Sequence, residues 1–151
     1  MRISAKVDYA VRASIELAAA GGEPIKGEAI AEAQGIPLKF LENILGELKH
    51  TGIVSSRRGA QGGYWLAKPA EEVSIADIVR AVEGPLASVR GQGPESLDYQ
   101  GEAVPLQKVW IAVRANLRAV MEDTSLADVV GGDLPAAVRE LSEPAEAWSA
   151  R

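Results

Sequence analysis

The chain contains no cysteine and a single histidine, His50. The first absence excludes disulfides, thiolate metal sites and cysteine-ligated iron–sulfur clusters. The second leaves little for a zinc site or a Ser-His-Asp triad, and His50, beside the turn at Thr51-Gly52, reads as a helix-end residue near free carbonyls. No apolar run reaches the length of about eighteen residues that a membrane helix needs, and the start MRISAKVDYA lacks the parts of a signal peptide, so a cytoplasmic location is expected and no membrane contact. Carboxylates are plentiful, but nothing in their spacing recommends a catalytic pair. No catalytic residue, metal ligand or cofactor is predicted.

What remains is an ordinary globular balance for one compact chain of 151 residues, 47% hydrophobic and 25% charged. The net charge of −5 is unevenly spread. Residues 1–70 carry nine Lys/Arg against seven Asp/Glu, whereas residues 71–151 carry seven against fourteen. Phosphate binding depends on a local patch, and the window 36–68 holds Lys39, Lys49, Arg57, Arg58 and Lys68 against Glu42 and Glu47.

Along the chain, Ser4 is placed to cap a helix to about residue 20, with Val7, Ala10, Val11, Ile15 and Ala18 on one face and Gly21-Gly22 as the stop. A short helix over about 27–34 ends at Gly35, and Pro37 suits the first position of a third helix that turns Leu38, Leu41, Ile44, Leu45 and Leu48 inward. Two helices joined by about three residues around a glycine read as a helix-turn-helix. The β-prone runs Ile53-Val54-Ser55 and Tyr64-Trp65-Leu66 flank SRRGAQGG and form a hairpin, a wing after the helix-turn-helix. Ser74 caps a fourth helix over about 75–82. Residues 86–104 read as a long loop, 105–121 as a long amphipathic helix, Thr124 as the cap of a short segment, and residues 132–151 as a loose tail. No internal repeat is evident at this level.

A helix fits the major groove, and Lys39, Glu42 and Asn43 lie near the start of the third helix, where base readers sit: Lys can donate to guanine, Glu can accept from cytosine N4, Asn can pair with adenine. Arg57 and Arg58 on a hairpin can enter the minor groove or meet its phosphates. The same residues would equally serve as a solvated face and a solvated hairpin tip. The glycine loop is no P-loop, because Gly63 leads into Tyr64-Trp65-Leu66 rather than a helix. Val109, Val113, Leu117 and Val120 on the long helix favour a subunit contact, and a two-fold dimer would match a palindromic operator in double-stranded DNA.

The combination of MRISAKVDYAVRASIELA, the run from IPLKFLENILGELKH through RRGAQGGYWL to IADIVRAVEGP, and TSLADVV resembles the IscR/NsrR/CymR-type family of winged helix-turn-helix regulators over roughly residues 1–130. The resemblance implies a homodimeric bacterial transcriptional regulator, mostly a repressor, with long helices pairing beneath two DNA-binding domains. It also implies DNA-facing roles for Lys39, Glu42, Arg58 and Gly59, with Lys6 and Tyr9 as backbone contacts. Asp8 departs from the basic residue many members have there. Cluster-binding members place three cysteines in the loop before the long helix; here residues 86–104 have none, which is more similar to the cysteine-metabolism branch, whose DNA binding responds to a partner enzyme. The expected organisation is therefore mainly α with a β-hairpin wing: a DNA-binding domain over 1–84, a sensory loop over 85–104, a dimerisation helix and short segment over 105–131, and the tail. Arg90 is the candidate contact for a metabolite or partner enzyme as signal. The alternative function is a protein-interaction module of the same fold that binds an enzyme or another regulator.

Overall fold

The computed structural model describes residues 2–150. Ser4 begins α1 (Ala5–Ala19) by accepting from the Val7 N–H at 3.2 Å. α2 (Gly27–Gln34) stops at Gly35, whose left-handed φ of 62° turns the chain, and α3 (Leu38–His50) follows after buried Ile36. Pro37 stands just outside α3 as its cap rather than as its first residue; its ψ of 124° is extended.

β1 (Val54–Arg57) and β2 (Gly63–Leu66) pair antiparallel with Val54 opposite Leu66 and Arg57 opposite Gly63. A third short element joins them: Ile25 and Tyr64 exchange backbone hydrogen bonds at 2.9 and 2.7 Å, so the segment before α2 extends the hairpin. α4 spans Ile75–Glu83, α5 Leu106–Met121, α6 Leu126–Gly131 and α7 Ala136–Ser142.

α1 lies at the centre, touching α2, α3, α4, α6 and β2. Its buried side is Val7, Ala10, Ala13, Ser14 and Leu17, which places Val11, Ile15 and Ala18 at the margin of the core rather than inside it. Leu41, Ile44, Leu45 and Leu48 of α3 are fully buried against it, as are Ile30, Ile78 and Leu126. Leu38, the first residue of α3, departs from the inward stripe and is 36% exposed.

The structure exposes a duplication that periodicity hides. Ser74-Ile75-Ala76-Asp77-Ile78-Val79 and Ser125-Leu126-Ala127-Asp128-Val129-Val130 each open a helix with the same reciprocal cap, the serine accepting from the aspartate N–H and the aspartate from the serine N–H. The two starts pair antiparallel, Ile75 N–H to Thr124 O and Leu126 N–H to Val73 O, both at 2.9 Å. Ser125, not Thr124, is therefore the cap of α6; Thr124 instead donates back to Val120 O. The bridge returns the chain to the core after α5, and Leu126 is wholly buried there.

The loop over 86–104 is built, not featureless. Leu86, Pro94 and Leu97 are buried, tight helical turns form at Pro94–Ser96 and Gly101–Ala103, and Gln107 of α5 donates to the carbonyls of Pro94 and Leu97. The Trp110 indole N–H donates to the Tyr99 hydroxyl at 3.1 Å. Glu95 pairs with Arg114; a backbone N–H and that guanidinium hold its carboxyl below the usual range. The tail is not loose throughout: it carries α7 and a further tight turn, Ala145–Trp148.

Candidate nucleic-acid interface

α3 presents two faces. Its leucines and Ile44 fix it against α1, and this leaves Lys39, Glu42, Asn43, Gly46 and Lys49 exposed on the other side. Two contacts tie the wing to the segment before α2, and a third braces it internally. Ile25 pairs with Tyr64, the Lys26 ammonium donates to Gly59 O, and the Arg57 guanidinium donates to Gln61 O at 3.2 Å across the turn. Arg57 thus braces the wing from within β1, while Arg58 and Gly59 occupy its exposed turn.

Between α3 and the wing runs a groove lined by Lys26, Glu28, Glu42, Gly46, Lys49, Arg57, Arg58 and Gly59. Four cations against two carboxylates make it basic within a chain that is acidic overall. Glu42 lies in this groove with Arg57, Arg58 and Gly59; Lys39 and Asn43 are exposed on the same helix outside its lining. Lys26 and Lys49 belong to the patch although sequence reasoning did not single them out as site residues. Lys49 stood in the basic window; Lys26 stood outside it and reaches the wing only through the Ile25–Tyr64 pairing.

Lys6 and Tyr9 are engaged in packing. The Lys6 ammonium pairs with Glu47 of α3 at 2.8 Å and donates to Val82 O of α4 at 2.9 Å, tying three helices together. Tyr9 meets Phe40 of α3 edge-on at 5.7 Å, and the Arg12 guanidinium lies 5.0 Å from its ring centre. Arg12 also pairs with Asp8 at 3.1 Å and donates to Gln34 O at 2.9 Å, which orients α2. Asp8 is thereby a partner of Arg12.

On α5 the apolar stripe divides. Val109 and Val113 are 51% and 37% exposed. Leu117 is half-buried and lines a cavity with Val7, Val79 and Leu86 of its own chain, and Val120 lines one with Val138 and Leu141. Arg90 is exposed in the tight turn closed by Val89 and Gln92, with a φ of 53°. No helix among the described residues is long and apolar enough to cross a membrane.

Residues 3–132 match the family described as Rrf2, an iron-dependent transcriptional regulator. A protein of Mycobacterium tuberculosis named as a candidate HTH-type transcriptional regulator, Rv1287, is 51% identical over 144 residues, covering 95% of this chain and 89% of its own. The HTH-type transcriptional regulator CymR of Bacillus subtilis is 34% identical over 85% of this chain and 89% of its own. The solved structure of CymR, the global cysteine regulator of B. subtilis, superposes with a TM-score of 0.73 at 30% identity, covering 87% of this chain and 98% of that one. IscR of T. potens gives 0.70 at 30% identity over 100% and 93%. The iron in the family description finds no matching ligands here. The chain has no cysteine, so a cluster of the IscR kind cannot be held, and no grouping of three or more metal-binding side chains occurs among the described residues. By its sequence match, its two-strand wing and its helix-turn-helix, the chain belongs to the Rrf2 family of HTH transcriptional regulators, and it is a regulator, not an enzyme.

Proposed function

We propose that the protein is a homodimeric DNA-binding regulator that seats α3 of each copy in successive major grooves of a palindromic operator and acts as a repressor by occupying it. The observation that carries this reading is the basic groove between α3 and the wing, where Glu42, Lys49, Arg57, Arg58 and Lys26 converge. A helix of α3's width fits the major groove, and a wing beside it reaches the neighbouring backbone.

Within this reading Glu42 supplies discrimination. A carboxylate in a basic groove is repelled by phosphate unless it accepts from a base such as cytosine N4. Glu42→Ala should therefore narrow the gap between operator and scrambled duplex by about 1–3 kcal/mol per specific contact while non-specific binding holds or strengthens. Competition titrations with both duplexes measure the ratio; an unchanged ratio removes Glu42 from base readout.

Arg58 supplies affinity. It is exposed at the wing turn, whereas Arg57 already donates within the hairpin. Arg58→Ala should weaken all duplexes alike and lower the log–log salt slope by about 0.9 for each phosphate that the side chain neutralises. A variant with the wild-type slope would make the wing a solvated hairpin. A protein-interaction module that does not use DNA would show no duplex binding in either titration.

The signal enters by a route other than an iron–sulfur cluster. Arg90, exposed on its tight turn, is the candidate contact for that signal, a small anionic metabolite or a partner protein.

A further inference from the structure

α5 bears three cations and no acid: Arg114 and Arg118 pair with Glu95 and Glu122 of the same chain, and Lys108 has no ion pair among the described residues. Residues 132–150 bear four acids, Asp133, Glu140, Glu143 and Glu146, against Arg139. The tail forms a hook: the Trp148 indole N–H donates to Ser142 O at 2.6 Å, folding the last turn back on α7. Val138, Leu141, Ala147 and Trp148 then form an apolar patch with Val120 at the end of α5. Leu141 and Trp148 remain 60% and 79% exposed.

The large apolar side chains exposed beyond the winged region fall in two groups on either side of the middle of α5. Val104, Val109, Ile111 and Val113 lie before or within its first half; Val130, Leu141 and Trp148 lie beyond its finish. Val109, Val113, Asn116 and Val120 recur at helical spacing, so the hook stands on the same side of α5 as the exposed valines. Ile111, nine residues from Val120, is two and a half turns away on the other side, out of reach of the hook of its own chain.

We infer that the hook of each copy closes over the start of the second copy's α5, with Leu141 and Trp148 against Val104 and Val109 and the tail carboxylates beside Lys108. The inference rests on the dimer proposed above and adds its geometry. A two-fold axis near Asn116 runs the two α5 helices antiparallel, so each finish meets the other's start and both apolar groups are covered twice. The occupant of the patch is thus a second copy of this chain, joined by charge complementarity and by continuity with the α5 face.

The absence of native cysteine makes full-length single-cysteine chains clean reporters. Asn116→Cys alone reports the axis. A chain carrying Val104→Cys, mixed with a differently tagged chain carrying Ala147→Cys and treated with a bismaleimide, reports the clasp. The expected result is an Asn116–Asn116 product, a between-chain 104–147 product, and a dimer dissociation constant raised about tenfold or more in full-length Leu141→Glu/Trp148→Glu. An Asn116 product without the 104–147 product, with the double glutamate variant dimerising as wild type, would leave the dimer standing and overturn the clasp. Wild-type protein that sediments as a monomer would overturn both.

Discussion

Full-length protein carrying Val109→Asp and Val113→Asp is expected to sediment as a monomer, to keep its helical circular dichroism, and to bind operator about 10²–10⁴-fold more weakly. Both positions are already exposed in the single chain, so a carboxylate there meets water and costs the fold little. In a dimer the same carboxylates would be desolvated against the apolar side chains of the second copy, where burial penalises each charge. The affinity falls because one recognition helix no longer brings the second to its half-site at high effective concentration. Leu117→Asp separates an interface effect from a folding effect: Leu117 is half-buried and lines a cavity with Val7, Val79 and Leu86, so that change should lower the stability of the single chain as well. A dimer surviving both aspartates would place the interface elsewhere.

The electrostatics of the interface follow from position more than from composition. A net charge of −5 coexists with a groove in which four cations face two carboxylates, because the excess acid lies in the second half of the chain. The salt dependence expected for Arg58 is therefore a local property of the wing.

Local signals in the sequence located most of the helix-turn-helix. Ser4, Gly35 and Ser74 mark real boundaries because each acts on its nearest neighbours: a hydroxyl accepting an amide three residues on, or a glycine taking a left-handed φ. The helical spacing of α3 identifies four of five inward residues and fails at Leu38, where inwardness depends on how far the core extends. What stayed hidden was tertiary. The pairing of Ile25 with Tyr64, which recruits Lys26 to the wing, joins segments far apart in sequence. The resemblance implies a backbone contact for Lys6, and nothing in the sequence shows that Glu47 and Val82 stand beside it. The S-I/L-A-D match is too short to stand out as a repeat in the sequence, and its meaning comes from the antiparallel contact between two helix starts far apart in the chain. Similarly, Val109 and Leu117 belong to one apolar stripe in the sequence and part company only in the fold, where Val109 is exposed and Leu117 is half-buried beside α4 and the loop.

The wing itself gives the other large expected effect. Gly62→Ala should abolish specific operator binding while leaving the helical core folded. A Cβ at Gly62 would stand 2.0 Å from Arg57 O, inside the hairpin's own backbone, and the nearest relief is to pull β1 and β2 apart. Separation at that point removes the Arg57–Gly63 pairing and shifts the Gln61 carbonyl that Arg57 holds. Arg58 and Gly59 would then no longer be fixed beside α3. Gly63 has a similar constraint, since its Cβ would come within 2.7 Å of Ile25 O, so Gly63→Ala should break the third short strand and release Lys26 with it. By contrast, an alanine at Gly46 meets nothing within 4 Å and favours helix, so Gly46→Ala should leave the fold as stable or slightly more so. Any weakening of DNA binding in that variant would then report contact in the groove and not a collapsed wing. Thermal unfolding and duplex titration of the three variants together test the assignment: Gly62→Ala protein with wild-type operator affinity would mean that the hairpin's shape is not what positions Arg58 for DNA.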